Sequence, residues 1–125
     1  MDSKQLAALC RDLADNKKGE EIAILDMRKV STVADYFVII TGTSDPHLRA
    51  IADEITEKLK EDHDLRPRAV DGQSPTKWKV LDFVDVVVHI MHTEARKHYD
   101  IETLWGDAPR VRPRSPKKAA AQPKG

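Results

Sequence analysis

The run DVVVHIM at residues 85–91 limits the fold of this chain more than any other stretch of the sequence. It is rich in β-branched side chains, it is bounded by polar residues, and it is too short for a buried helix, so it predicts a β-strand. On a strand, Val86, Val88 and Ile90 share one face, while Val87 and His89 lie on the other. We therefore expect one face to be buried, and the mixed face to be the place for chemistry or for a partner.

Other extended stretches predict the partner strands. Residues 78–81 are extended and precede a turn at residues 82–85, so they form a hairpin with the first strand. Residues 21–27 (EIAILDM) and 36–41 (YFVIIT) predict two more strands, and the second is apolar at nearly every position, as expected inside a sheet. A short strand is predicted within residues 66–71, with Pro67 at a sheet edge. Together these stretches form a sheet of about five strands.

Two amphipathic patterns predict helices that pack on this sheet. The first helix begins after a cap at Asp2 or Ser3 and ends near Asn16, and the second begins after a cap at Ser44 or Asp45. Their apolar stripes consist of Leu6, Leu9, Cys10 and Leu13 in the first helix, and Leu48, Ile51, Ala52, Ile55 and Leu59 in the second.

The order of these elements predicts an α/β fold with a mixed β-sheet flanked by helices. A strand, a helix and a later strand imply at least one parallel crossover, whereas the hairpin is antiparallel. After the hairpin, Thr93 caps a short helix, and Asp100 caps another one that Gly106 closes. A chain of 125 residues with a polar end corresponds to one domain.

The formal net charge of zero conceals a division of charge along the chain. Residues 109–125 carry six basic residues and no acidic one, which leaves 15 basic and 21 acidic residues in the stretch 1–108. We therefore predict an acidic domain at residues 1–108, with a net charge of −6, and a basic tail at residues 109–125. Because the tail is rich in proline, lysine and alanine, we expect it to be disordered.

The sequence favours the cytoplasm. No apolar run reaches the ~18 residues of a transmembrane helix, and the N-terminus lacks the basic-then-apolar order of a signal peptide. The single cysteine, Cys10, has no partner for an internal disulfide, which suits a reducing compartment. We therefore predict a cytoplasmic protein without membrane contact.

A collinear series of short motifs covers almost the whole chain before the tail. They are DYFVI at 35–39, Gly42 with Ser44, AIADEI at 50–55, Trp78, LD at 81–82, DVVVHI at 85–90, Arg96, YD at 99–100 and LWGDAP at 104–109. No single motif is diagnostic, but the string YDxExLWGDAP is highly specific. In this order the motifs resemble the bacterial ribosomal silencing factor family, also called the RsfS or Iojap family. One position departs from the family pattern, because Val84 stands in the predicted turn where members usually have glycine.

The resemblance implies a fold similar to that of the nucleotidyltransferases, with a function that needs no reaction and no cofactor. It implies binding to the large ribosomal subunit through the fourteenth protein of that subunit, on the face that meets the small subunit. The bulk of the bound protein would then block subunit association and repress translation when nutrients are short. Exposed strand edges also permit a homodimer, and the sequence leaves open whether the free protein forms one.

Aromatic and arginine residues, which buried protein contacts favour, are concentrated near the hairpin and after it. We predict that the ribosomal contact is lined or supported by Trp78, Leu81, Asp82, Arg96, Tyr99, Leu104 and Trp105. For Trp78 and Trp105, a place in the hydrophobic core is the alternative. The basic tail is expected to make a weak contact with ribosomal RNA through phosphate groups, although such tails often serve only solubility.

Kinship to nucleotidyltransferases raises an alternative function, a nucleotide-binding enzyme that is either active or degenerate. Such an enzyme needs two or three carboxylates that converge on magnesium. Asp62 and Asp64 have a suitable spacing, but their polar neighbours indicate the end of a helix. Asp82 and Asp85 fall in the predicted turn, where carboxylates accept backbone hydrogen bonds. We therefore predict no catalytic residue and no metal site.

The order of strand, glycine, serine and helix at residues 42–45 is a weak signal for phosphate binding, because amides at a helix N-terminus attract anions. The chain has neither G-x-G-x-x-G nor G-K-[ST] here, and Asp45 occupies the place of the anion. We therefore favour a capping role for this segment.

Overall fold

The computed structural model describes residues 1–72 and 76–98 of the protein. Within these residues the chain forms three helices and five strands. In chain order they are α1 (Ser3–Asn16), β1 (Glu20–Asp26), β2 (Tyr36–Gly42), α2 (Asp45–His63), β3 (Ala69–Asp71), β4 (Trp78–Asp82), β5 (Val86–His92) and α3 (Thr93–His98).

The five strands form one mixed sheet in the order β1-β2-β5-β4-β3. β2 and β5 are parallel, in a register that pairs Tyr36 with Val86 and Gly42 with His92. The other three strand pairs are antiparallel. The predicted mixed sheet, with one parallel crossover through α2 and an antiparallel hairpin, is therefore confirmed. The apolar strands β2 and β5 are both interior, because each pairs with a neighbour on both sides.

The main hydrophobic core lies between α1, α2 and one face of the sheet, which we call the first face. The predicted stripe residues of both helices pack there, together with the alternate residues Val86, Val88 and Ile90 of β5. Cys10 is fully buried in this core, and burial raises the pKa of its thiol to about 12. The thiol is therefore protonated at neutral pH and acts as a small apolar side chain.

Side-chain caps determine where both long helices begin. The Asp2 carboxylate accepts from the Gln5 amide, and the Gln5 side chain accepts from the Asp2 amide, which completes a capping box. Ser44 caps α2 by accepting from the His47 amide. Asp45 is the first residue of α2, and its carboxylate accepts from the Thr76 amide at 3.1 Å. Of the alternative caps predicted from the sequence, Asp2 therefore caps α1 and Ser44 caps α2.

Strand β3 is shorter than the predicted strand at residues 66–71, since it covers only Ala69–Asp71. The Arg68 amide still donates to the Asp82 carbonyl at 2.7 Å, so pairing continues for one residue before the strand. Pro67 has no amide proton and cannot extend the ladder further. After the strand, Gly72 adopts a φ of +88°, as its predicted role in a turn requires.

The turn between β4 and β5 holds Val84 in an unfavourable backbone conformation. The Asp85 amide donates to the Phe83 carbonyl at 3.0 Å, which closes a three-residue turn, and Val84 at its centre has a φ of +74°. Turns of this hand are rare and strained, and a β-branched residue at positive φ is an outlier. The Asp82 carboxylate, which accepts from the Val84 amide at 2.8 Å, helps to maintain the conformation. Val84, where the sequence departs from the family pattern that it resembles, therefore lies at a strained position.

We expect Val84→Gly to raise the free energy of unfolding by about 1 kcal/mol, because glycine relieves strain of about 1–3 kcal/mol but loses more entropy on folding. Urea denaturation followed by circular dichroism would measure the change. Val33→Gly is the matched control, since Val33 is also exposed in a connection but has no positive φ, and it should lower stability. Equal losses in the two variants would contradict strain at Val84.

Several predicted features lie outside the described residues: the second short helix between Asp100 and Gly106, the domain boundary at residue 108 and the basic tail. Within the ranges 1–72 and 76–98, none of the helices has the length and apolar character needed to cross a membrane.

Candidate functional site

The face of the sheet opposite α1 and α2, which we call the second face, is only partly covered by the described residues. On the β1 side it is buried, and a small second core forms there around Leu25, Met27 and Ile39. Ala95 of α3 joins this core at the end of the sheet where β5 terminates. On β4 and β3 the side chains of the second face are partly or fully exposed, and beside them on β5 lie the buried Val87 and the partly exposed His89. This strip, which the described residues leave uncovered over β4 and β3, is called the uncovered strip and is the candidate functional site.

The uncovered strip forms a shallow depression of about 230 Å³. Its lining includes Val33, Phe37, Val80, Asp82, Val87 and His89. This volume is below the range of about 300–1,000 Å³ that is usual for small-molecule sites. Val33 has 71 % of its surface exposed at the edge of the depression, so the apolar surface extends outward. These properties favour contact with another macromolecule over enclosure of a substrate.

Trp78 lies at the other end of the strip, on β4 opposite Met91 of β5. Its ring is partly buried and packs beside the second core. The indole Nε1 donates a hydrogen bond to His89 Nδ1 at 3.1 Å, and the two ring centroids are 5.9 Å apart. Trp78 is therefore a partly exposed aromatic held in place by its neighbours, and its predicted role in a contact stays a prediction.

His89 lies between two aromatic rings, because the Phe37 ring centroid is 4.8 Å from its own. Burial lowers the pKa of His89 to about 4, so the imidazole is neutral at pH 7. Its Nε2 atom is buried and has no hydrogen-bond partner in the described part of the chain.

Leu81 and Asp82 have structural partners within the domain. Leu81 is 1 % exposed and packs in the main core on the first face, so it supports the strip only through the fold. The Asp82 carboxylate accepts from Arg68 Nη2 at 2.7 Å and from the Val84 amide at 2.8 Å. The hydrogen bond from Arg68, aided by the Val84 amide, lowers the pKa of Asp82, although partial burial opposes this. Asp82 is the last residue of β4 and lies at the margin of the strip in an ion pair.

Arg96 connects α3 to the far edge of the sheet. β1 has an irregular register between Glu20 and Ala23, and Glu21 within it has a φ of +47°. Such a bulge leaves backbone groups without partners in the ladder. Arg96 Nη1 donates to the Glu21 carbonyl at 2.5 Å and to the buried Thr41 hydroxyl at 2.7 Å. Through these contacts Arg96 fixes α3 at the end of the second face.

The remaining predicted site residues, Tyr99, Leu104 and Trp105, lie outside the described residues. Four residues that line the strip were not among the site residues predicted from the sequence: Val33, Phe37, Val80 and Val87. The alternation along β5 indicated Val87. Phe37 could not be assigned to a face in this way, because its strand is apolar at nearly every position. Val33 and Val80 join the strip only through the pairing of the strands.

The carboxylates considered for metal binding are dispersed. Asp62 lies in α2, Asp64 terminates that helix with a φ of +52° and bonds to Arg66, and Asp82 pairs with Arg68. Within residues 1–72 and 76–98, no group of three or more histidine, cysteine, aspartate or glutamate side chains could hold a metal ion.

A larger depression, of about 380 Å³, lies beside α1, far from the strip. It is lined by apolar residues such as Leu9 and Ile24 and by charged ones such as Lys4 and Asp12. None of the predicted site residues lines it, so its size alone does not make it a functional site.

Comparison with known proteins places these observations in a family. The family model described as "Ribosomal silencing factor during starvation" matches residues 1–125. The ribosomal silencing factor RsfS of Bacillus subtilis is 39 % identical over 109 residues, which cover 87 % of this chain and 92 % of that protein. A more distant relative, the mouse "Mitochondrial assembly of ribosomal large subunit protein 1", is 30 % identical over 74 % of this chain and 42 % of its own length. The crystal structure of a Chromobacterium violaceum protein is similar, with a TM-score of 0.80 and 32 % identity over 85 % of this chain and 88 % of that one.

Proposed function

The chain belongs to the ribosomal silencing factor family, and we propose that it binds the large ribosomal subunit and sterically blocks its association with the small subunit, which represses translation. The partner on the large subunit is the fourteenth protein of that subunit. The observation that carries the proposal is the apolar strip that the described residues leave partly exposed on the second face, with the partly buried Trp78 indole at one end. The name of the mouse relative, which refers to the large subunit, supports this choice of subunit.

The composition of the strip supports a protein partner. Phe37, Val80 and Val87 supply an apolar centre, and Trp78 supplies the kind of aromatic anchor that often dominates binding energy. Acidic residues such as Asp82 lie at the margin, as is usual for a polar rim. The acidic domain, with its net charge of −6 over residues 1–108, complements a basic ribosomal protein.

A steric mechanism needs only that the bound protein remain in place. A compact domain of about 100 residues has a radius of gyration of about 13 Å and is therefore roughly 30 Å across. Two subunits that must touch cannot join around an object of this size on the contact surface. Blocking therefore follows from occupancy, and the proposed function includes no turnover, no cofactor and no metal. The cytoplasm, where ribosomes work, is the proposed location.

The exposed edge of the sheet at β3 offers a contact surface for a homodimer. All three residues of β3 are exposed at a sheet edge, and an edge strand offers unpaired backbone groups to a second chain. We include a homodimer of the free protein in the proposal. If the dimer contact overlaps the strip, dimerisation and ribosome binding compete.

Co-sedimentation with purified ribosomal subunits tests the proposed partner. We expect the protein to pellet with large subunits and not with small subunits, and to be released as salt is raised, because electrostatic attraction is screened. Cross-linking should join it to the fourteenth large-subunit protein. Equal pelleting with both subunits would contradict the proposal.

A chain truncated after Val111 tests the proposed contact of the basic tail with ribosomal RNA, since loss of phosphate contacts should reduce the salt dependence of large-subunit binding.

A further inference from the structure

The His89 and Trp78 rings on the second face are joined by a hydrogen bond as well as by packing. Because Val80 of β4 pairs with His89 of β5, and Trp78 pairs with Met91, the two rings are diagonal neighbours across the strands. The hydrogen bond from indole Nε1 to His89 Nδ1 measures 3.1 Å, and Phe37 packs on the imidazole at 4.8 Å between ring centroids. The orientation of the indole is therefore fixed by a directional bond as well as by contact.

The chemistry of the two rings determines the protonation of His89. An indole nitrogen only donates, so Nδ1 must be the acceptor and cannot carry a proton. In the neutral imidazole the proton is then on Nε2, which is buried without an acceptor in the described part of the chain. This orphaned donor disfavours the folded state. An apolar side chain at position 89 would avoid that penalty, but it would offer no acceptor to the indole.

We propose that His89 is a positioning residue, which holds the Trp78 indole in the orientation that the ribosomal partner requires. The inference rests on the proposed function, because Trp78 is the proposed anchor. A fixed anchor loses less conformational entropy on binding than a freely rotating one, so the affinity depends on His89 even though its imidazole is mostly buried. The orphaned Nε2–H is retained because the acceptor on the same ring is needed.

Substitution of His89 should change the affinity for the large subunit without a parallel change in thermal stability. We expect His89→Leu to bind about tenfold more weakly while its melting temperature changes little, because the variant removes the buried unsatisfied Nε2–H but also takes the acceptor away from the indole N–H. His89→Gln keeps an acceptor and should bind within about threefold of the unsubstituted protein. His63→Leu, on the exposed end of α2, is the control for loss of a histidine and should change neither quantity. Unchanged affinity in His89→Leu would overturn the proposal, since a merely structural histidine would alter stability first.

A double-substitution cycle shows whether His89 acts through Trp78. In a Trp78→Phe background, which has no indole N–H, His89→Leu should cause no further loss of affinity. An additive loss would overturn the positioning role.

Nuclear magnetic resonance of the unsubstituted free protein provides a test that needs no variant to fold. The ¹⁵N resonances assigned to His89, one of five histidines in the chain, should identify a neutral ring with the proton on Nε2, and a proton on Nδ1 of His89 would overturn the inference. Because this test involves no ribosome, it remains informative if the unsubstituted protein fails to bind large subunits, in which case the proposed function fails instead.

Discussion

Trp78→Ala is expected to weaken binding to the large ribosomal subunit by about 2 kcal/mol or more, which is about 30-fold in Kd. Trp78 lies on the uncovered strip and has its indole oriented by His89, so its truncation removes both the anchor area and the ordered geometry. The effect is large because an aromatic anchor buries much apolar surface on binding. Equilibrium binding to purified large subunits would measure it.

The control for this prediction is Val70→Ala. Val70 is 51 % exposed on β3 and pairs with the core residue Leu81, so its side chain lies on the first face. This variant also removes exposed apolar surface near the sheet edge, but we expect no change in affinity. Circular dichroism must confirm that Trp78→Ala remains folded. A folded Trp78→Ala that binds as tightly as the unsubstituted protein would exclude Trp78 as the anchor.

Leu81→Ala is expected to have the opposite profile, a large loss of stability without a specific loss of affinity. Leu81 is 1 % exposed and lies in the main core on the first face. Truncation of a buried leucine leaves a cavity and typically lowers the free energy of unfolding by about 2–5 kcal/mol. Urea denaturation would measure the loss, and binding should be compared at a temperature where the variant is still folded.

Val80→Ala is the matched partner of Leu81→Ala. Val80 is the adjacent residue of β4, but its side chain lies on the second face and is partly exposed. We expect Val80→Ala to cost less stability than Leu81→Ala and to reduce affinity more. If both variants lose stability and neither loses affinity, the second face is not the contact surface.

The sequence was sufficient for the architecture because the signals that determine it are local. Alternation of apolar residues predicted β5, helical spacing predicted α1 and α2, and short polar turns separated the elements. The crossover followed from their order. These features depend on neighbours within a few residues, so the sequence alone carries them.

The composition of the site depended on information that is not local. Trp78 and Leu81 are three residues apart on β4 and lie on opposite faces, and only the pairing with β5 determines which face each of them occupies. Arg96 was a predicted contact residue. Its hydrogen bonds to Glu21 and Thr41 depend on a bulge in β1, which no sequence pattern predicted. The acceptor role of His89 likewise requires the register that brings it beside Trp78.

The most direct test of the proposed function is the joining of ribosomal subunits, followed by light scattering. Large subunits incubated with the protein before small subunits are added should give fewer joined particles, with saturation near one protein per large subunit. Trp78→Ala should need a concentration about 30-fold higher for the same effect. Joining that is unaffected at saturating protein would contradict steric silencing, and it would favour the nucleotide-binding alternative for this fold.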